Sequence, residues 1–426
     1  MLLRSAVPLL LVGCGGPTPS DTTPPADTSI PTVIGGDDSE QETADTSVEP
    51  EVSDVDWQAA WFDEAQIHEV VLTIPTDSWA DLRADPYEFV VANATFDGEL
   101  VGELGLRLRG KVGSFRTIDQ KPKFKMDFGE FVDGQDLHGL KSMSLNNEVV
   151  DCSYLKEPLG YRVFRDAGLA ASRTSFAHVM VNDEDYGLYV VVEVPDAKFL
   201  TDRFPGDDTG QLYDGKYLYY DDGSYILLDF ATGVDALFQL EEGEDTGNAE
   251  IFAISDAIGA HGRPGPGFAE ALDGLVDWQE LHTNFAVEQW IGHVDGYAMN
   301  RNNYRVYFRP SDGKMILMPW DFDYAFIEDY AWGMSWNSPT GMIANHCWRD
   351  PDCLAGQPTA MAAVLETIDT EALLTWYDEL SSMTGQLAED DPKRECGIQS
   401  VHRERAALRT WIETRSDAMR TAWGLE

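Results

Sequence analysis

The stretch RLRGKVGSFRTIDQKPKFKMDF, residues 107–128, alternates charged and apolar side chains at both ends and carries two glycines between them. Read as a strand, KPKFKMDF puts Lys121, Lys123 and Lys125 on one face and Phe124, Met126 and Phe128 on the other. An apolar face of that kind needs other strands to cover it. The chain offers them immediately upstream: IHEVVLTI from Ile67 and EFVVANATFDGELVGELGLRLRG from Glu88 keep the same period and turn at Asp97-Gly98. Three lysines on one face of an acidic chain point to phosphate binding; the plainer alternative is a solvated face paired with acids. Gly110 and Gly113 let backbone amides approach an anion, with Arg109 and Lys111 adding positive charge. The plainer reading of RLRGKVGSF is a glycine-bearing hairpin turn.

Downstream the period changes. SYLKEPLGYRVFRDA, residues 153–167, carries apolar groups at helical spacing and stops at Gly168, a suitable C-terminal cap. SFAHVMVN and YGLYVVVEV form a hairpin joined by NDED, and WQELHTNFAVEQWIGHV from Trp278 is helical. YRVYF and KMILMPWDF make a second hairpin turning at Asp312-Gly313, and the segments TAMAAVLETI, EALLTWYDELSSM and VHRERAALRTWIETRSDAMRTAW are helices. Gly206 to Gly247 shows no clear period. Strands first and helices later predict an α+β fold, with a β-rich N-terminal part, a mostly helical C-terminal part, and two lobes about a cleft.

The chain opens MLLRSAVPLLLVGCGG, whose apolar run is too short to span a membrane and suits a signal peptide. LVGC resembles a bacterial lipobox, so residues 1–14 are expected to be a lipoprotein signal, with lipid on Cys14. Gly15 after it favours an outer-membrane anchor. Residues 15–56 hold Pro, Thr, Ser and Gly with eleven Asp or Glu and no Lys or Arg, and read as a disordered tether. Formal net charge is −45, and about −35 remains without that tract and Arg4. Nucleic acid and anionic lipid surfaces are therefore poor partners. Of five cysteines, four remain once Cys14 is set aside; Cys347 and Cys353 can close a small loop, leaving Cys152 and Cys396 as a long-range pair. Zinc is the weaker reading, since His346 is the only imidazole close to them in sequence.

Two more segments carry chemistry. In IGHVDGYAMNRNNYRVYF, Asp295 follows a helix, and His293-x-Asp295 with Asn300 five residues on reproduces the spacing of a kinase catalytic loop; a loop with capping Asp and Asn is the alternative. In MPWDFDYAF, residues 318–326, a strand would place Asp321 and Asp323 on the same face. Two such carboxylates repel unless a cation lies between them. Oxygen ligands favour Mg²⁺, Mn²⁺ or Ca²⁺ over Zn²⁺, with a structural Ca²⁺ site as the alternative. Together these segments supply phosphate contacts, an acceptor-side aspartate and metal carboxylates, the parts phosphoryl transfer needs.

RLRGKVGSF, KPKFKMDF, GLKSMSLNN, SYLKEPLGYRVFRDAGLAASRTSFAHVMVN, YGLYVVVEVPDAKFL, DGYAMNRNNYRVYF and MPWDFDYAF occur in the order in which similar segments occur in the CotH family of atypical secreted protein kinases. The chain resembles that family over roughly Ile67 to Phe326. The resemblance implies a kinase-like two-lobed domain over 57–426, with its core at 67–326 and a helical extension at 327–426. It further implies ATP, Mg²⁺ or Mn²⁺, and transfer of the γ-phosphate to serine or threonine of an exported protein. By position, Lys121 and Lys125 would contact phosphates, and Arg109, from the reading of RLRGKVGSF, is the further cofactor-binding candidate. Glu193 would lie near the nucleotide as the ion-pair partner of a lysine. Asp295 and Asn303 would be catalytic, and Asp321, Asp323 and Asn303 would hold the metal, although Asn300 fits the kinase-loop spacing better than Asn303. Two other readings remain open at this stage: a non-catalytic surface or structural binding protein with the same fold, and transfer of AMP.

Overall fold

The apolar face of the lysine-bearing strand is covered by a barrel. The computed structural model describes residues 53–111, 113–220, 223–328 and 333–425. The signal segment, Cys14 and nearly all of the acidic tract lie outside the described residues. Helix α1 (Asp54–Trp61), capped by the Ser53 hydroxyl accepting from Asp56 N, begins inside the tract expected to be linker, so the folded part starts before residue 57. Then come β1 (Ile67–Thr73), α2 (Thr76–Ala84), β2 (Val90–Phe96), β3 (Glu99–Arg109), β4 (Lys123–Asp127), β5 (Ser142–Asn146), α3 (Lys156–Asp166), β6 (Thr174–Val181) and β7 (Glu184–Glu193). The seven strands close in the order β1-β2-β3-β4-β5-β7-β6. Every pairing is antiparallel except β1 with β6. Leu72, Ala92, Leu106, Phe124, Met126 and Leu145 fill the interior. Alternation thus sends the basic residues of β3 and β4 outward.

Helix α4 (Ala197–Arg203) leads into the stretch that lacked a period. It holds β8 (Leu212–Gly215), the two-stranded β9 (Tyr217–Tyr219) and β10 (Tyr225–Leu227), and β11 (Gln239–Glu242). Next are α5 (Ala249–His261), α6 (Phe268–Ala271), α7 (Trp278–Ile291), α8 (Tyr297–Asn300), β12 (Tyr304–Phe308) and β13 (Met315–Pro319). A second sheet runs β11-β8-β12-β13, so the unreadable stretch contributes two strands to it. Helices α9 (Met342–Cys347), α10 (Pro351–Leu354), α11 (Gly356–Thr367), α12 (Thr370–Asp390) and α13 (Ile398–Trp423) complete the chain, and the fold is mixed α+β.

Three expectations change. β3 and β4 are joined by residues 110–122 rather than by a tight hairpin turn. Lys121 precedes the strand, separated from it by Pro122, and does not share the face of Lys123 and Lys125. β13 ends at Pro319, so WDFD is not a strand, and Asp321 has a left-handed backbone with φ of 49°. Proline lacks the N–H that would extend the ladder, which accounts for the stop.

Both cysteine pairs are joined, Cys152–Cys396 across 244 residues and Cys347–Cys353 across 6. The imidazole beside the second pair is His282 rather than His346, with ligand atoms within 4.8 Å of one another. With the two sulfurs bonded to each other, neither offers a thiolate to zinc. Because loop closure in the unfolded chain costs more entropy for longer loops, replacing Cys152 and Cys396 together with serine should remove ~2–5 kcal/mol of stability. The same change at Cys347 and Cys353 should remove less. Urea unfolding of both variants checks the order, and equal losses would contradict it.

Candidate active site

Lys123 leaves the outer face of the barrel and is 3% exposed, which demands counter-charge. Its Nζ donates to Asp321 Oδ2 at 2.7 Å and lies 3.4 Å from Asp323 Oδ2. Burial alone would lower the lysine pKa, but the charges of Asp321 and Asp323 outweigh it and the pKa is raised. Burial would raise the Asp321 carboxyl, and the Lys123 ammonium instead holds it at about 2. Asp323, pushed up first by burial and then by the Asp321 charge, reaches about 7. The pair therefore has one firmly ionised member and one that titrates near neutrality.

Helix α3 is brought against this pair by a glycine. A Cβ on Gly160 would fall 2.6 Å from the Phe322 ring, so only glycine lets the helix approach WDFD this closely. The helix adds Tyr161, whose hydroxyl accepts from Asp321 N at 3.2 Å, and Lys156, whose Nζ donates to Asp323 O at 3.2 Å. It also buries Glu157, whose Oε1 accepts from Asn146 Nδ2 at 2.8 Å. Glu157 is driven well above the usual carboxyl range by burial and then by Asp321, and Glu148 by burial and then by Glu157.

Asp295 arrives from the other side, in the turn after α7. Asn300 Nδ2 reaches its Oδ1 at 2.5 Å, and Asn302 and Asn303 reach its Oδ2 at 3.0 Å each. Asn303 Nδ2 also donates to Asp321 O at 3.2 Å, linking the two aspartate segments. The register that pairs Tyr304 with Pro319 forces this meeting, since residues 303 and 320 then face each other across the ends of β12 and β13. Burial lifts Asp295 to about 6 although the asparagines pull it down. Behind the turn, Glu288 accepts from Tyr297 N and Ala298 N at 3.0 Å each, and burial raises its own pKa to about 8. A Cβ on Gly296 would meet His293 at 2.6 Å and Glu288 at 2.7 Å, so the turn needs glycine. His293 is fully buried and stays neutral, its pKa lowered to about 3 by burial.

The structure thus brings together Asp295, Asn300, Asn303, Asp321 and Asp323. Arg109 borders them: its Nη1 donates to Ser144 Oγ at 2.5 Å, its guanidinium lies 5.0 Å from the Trp320 ring centroid, and Asp321 acts on its charge. Lys125 is on the same barrel face, one β4 position beyond Phe124. Two expected residues are elsewhere. Lys121 is buried in an ion pair with Asp391 and donates to Leu188 O at 2.7 Å. Glu193 pairs with Arg173 and Arg203, at 2.5 and 2.7 Å, and not with a lysine. A buried carboxylate with two guanidiniums is already compensated.

Sequence reasoning passed over Lys123 as the centre, and Glu157 altogether. A signal for Glu157 exists: it stands at i, i+4 and i+7 with Tyr161 and Phe164, a charged side chain in the apolar stripe of a helix. Carboxylates of the kind that bind a hard divalent cation collect here. Asp295, Asp321, Asp323, Glu148 and Glu157 gather about one buried lysine, and Oε2 of both Glu148 and Glu157 is buried without a hydrogen-bond partner among the described residues. The cation that lies between Asp321 and Asp323 is the Lys123 ammonium, and their oxygens are not among the described ligand atoms close enough to share a metal ion, so a divalent ion held by Asp321, Asp323 and Asn303 would have to displace that ammonium.

The family model described as CotH kinase protein matches residues 106–419, a span that includes every residue of this cluster. Inner spore coat protein H of Bacillus subtilis (strain 168) is 25% identical over 198 residues, which is 45% of this chain and 52% of that protein. The chain spans about half the length of this curated relative. Among solved structures, the Helicobacter pylori proinflammatory kinase CtkA aligns with a TM-score of 0.31 at 9% identity, covering 66% of this chain and 90% of that one.

Proposed function

The chain belongs to the CotH kinase protein family, and from that premise we propose that it is an exported protein kinase moving the γ-phosphate of ATP to a serine or threonine hydroxyl. Family membership implies ATP and a divalent metal in general terms; Mg²⁺ or Mn²⁺ is the choice the oxygen ligands favour. The acceptor would be a secreted or envelope protein, and the chain would be held at the outer membrane by lipid on Cys14, as the lipobox-like LVGC suggests. The two-lobed arrangement of kinases is part of the same proposal.

One observation carries it: Asn303 joins Asp295 to the Asp321 segment, so the acceptor-side carboxylate and the metal-side carboxylates form one unit. In this reading Asp295 orients the acceptor hydroxyl and takes its proton. Its carboxyl, raised to about 6, is ionised at neutral pH yet still basic enough for that task. Lys123 keeps Asp321 ionised and positioned, and the asparagines fix the Asp295 rotamer. A divalent cation held by Asp321 and Asp323 would neutralise phosphate oxygens during transfer.

The test incubates the full chain with Mg²⁺ or Mn²⁺ and, in parallel, γ-labelled and α-labelled ATP. Protein label from the γ position alone is the expected result. Label from the α position would replace the kinase with an AMP transferase. A second reading has one observation behind it, the curated relative's description as a spore coat protein. No label from either nucleotide, with no ATP-dependent rise in melting temperature, would favour that non-catalytic reading.

A further inference from the structure

Cys347, at the end of α9, and Cys353, in α10, are bonded across a separation of only 6 residues. A loop that short removes little freedom from the unfolded chain, so stapling is the lesser part of what the pair offers. Both cysteines are buried in the apolar cluster that holds Phe285, Ile343 and Ala344. His282, on α7, reaches them there: one of its ring nitrogens and the two sulfurs lie within 4.8 Å of one another. Among the described residues this is the one group of three such ligands so placed.

The neighbouring glutamine prepares the imidazole for a metal. Gln357, fully buried, spends its amide on His282: Nε2 donates to His282 O at 3.3 Å, which turns Oε1 toward Nδ1 at 2.9 Å. An amide oxygen only accepts, so the ring proton sits on Nδ1 and the lone pair on Nε2. Histidines that bind metals are oriented by a bond of this kind from the other ring nitrogen. A Cβ on Gly356 would fall 2.7 Å from His282 Nε2, so only glycine at the start of α11 lets the ring lie this close to the turn after Cys353. Burial lowers the imidazole pKa against the pull of Gln357, which leaves the ring neutral, the form that binds metal.

Charge and softness select the ion. Two thiolates cancel the charge of a divalent cation, and a neutral unit is what an apolar cluster can bury. Sulfur and imidazole suit Zn²⁺, whereas Mg²⁺ and Ca²⁺ take oxygen ligands. Tetrahedral zinc sets two sulfurs about 3.8 Å apart, and a sulfur and a nitrogen about 3.5 Å apart. Side-chain rotation reaches those separations once the S–S bond is open.

We propose that His282, Cys347 and Cys353 form a redox-gated Zn²⁺ site: a disulfide when oxidised, and a three-ligand zinc centre completed by water when a dithiol has reduced the bond. In that reduction two electrons enter the S–S bond, the dithiol becomes a disulfide, and its two protons pass to Cys347 and Cys353. Zinc binding then releases both protons from the thiols. The site ties α9 and α10 to α7, and it is independent of the kinase reading.

The test reduces the full chain with a dithiol, removes the reagent anaerobically and titrates with Co²⁺, then with Zn²⁺. One Co²⁺ per chain should bind with the charge-transfer absorption of a thiolate ligand, and Zn²⁺ should bleach it; the oxidised chain should show neither. Gln357→Leu should weaken Co²⁺ binding about tenfold or more, and His282→Gln should weaken it further. Cys347→Ser should abolish the absorption, whereas Cys152→Ser with Cys396→Ser should keep it. Should Cys347→Ser not fold, His282→Gln retains every thiol and still reports on the site. The proposal is overturned by a folded, reduced chain that binds no metal, or by binding that survives Cys347→Ser or His282→Gln. A Cys347–Cys353 bond that a dithiol cannot open in the folded chain, or a reduced chain that unfolds with Zn²⁺ present, overturns it equally.

Discussion

Asp321→Asn should reduce γ-phosphate transfer by about 10³-fold or more while the chain remains folded. Asparagine keeps the shape of the side chain and removes the charge, which is the property the proposed mechanism needs: a fully ionised carboxylate, its pKa held at about 2 by Lys123, that would hold the metal. Losses of 10²–10³ follow removal of one preorganised electrostatic group from an active site, and loss of a metal ligand adds to that. Stability should change little, because two terms oppose each other. Asp321, with its pKa depressed from 3.8, contributes stability that is present above about pH 4 and lost as the pH falls through 2. Asp323, with its pKa raised to about 7 by burial and then by Asp321, costs stability as the pH rises from about 4 through 7, and that cost shrinks when its charged neighbour is gone. Lys123 keeps Asp323 as partner. The measurements are label transfer, urea unfolding and the rise in melting temperature on adding Mg²⁺, which the variant should lose. Wild-type transfer by a folded Asp321→Asn chain would remove Asp321 from the mechanism.

The second large effect lies outside the cluster. Asp391→Asn should cost about 3–5 kcal/mol, the usual penalty for leaving one member of a buried pair uncompensated. Lys121 and Asp391 are 1% and 0% exposed, and Asp391 also accepts from Tyr154 Oη at 3.0 Å and Leu188 N at 3.2 Å. The pair ties the end of α12 to the barrel. Adding Lys121→Met should recover most of the loss, because a neutral pair replaces a stranded ammonium. Urea unfolding of the single and double variants measures this. The double variant should transfer phosphate within a few-fold of wild type, since Lys121 is held by Asp391 and not by the site; loss of transfer in a folded double variant would return Lys121 to the phosphates.

The difference between Lys121 and Lys123 shows where sequence reading stopped. Alternation located the strand and its basic face, but it treated three lysines as equivalent. What separates them is the identity of their partners, Asp391 and the Asp321–Asp323 pair, which lie 270 and about 200 residues away in sequence. No local pattern carries that information. Glu193 differs for the same reason: the family resemblance implied a lysine partner, and the fold gave it Arg173 and Arg203. Asp321 and Asp323 do converge, though not through strand alternation. Pro319 ends the strand, and a left-handed residue at 321 brings the carboxylates together.

The sequence alone determined the α+β class, both hairpins, the capped helix before Gly168, the cysteine pairing and the family, because period, turn residues and ordered motifs are local properties that survive without knowledge of contacts. Asp295 with its asparagines was legible for the same reason, being confined to nine consecutive residues. Tertiary structure alone decided that the strands close into a barrel, that Gly206 to Gly247 supplies β8 and β11 to a second sheet, and that Lys123 and Glu157 rather than Lys121 and Glu193 join the carboxylates. Each of these depends on burial shared between distant segments. Only when those segments pack is water removed, and only then does a charge require one particular partner.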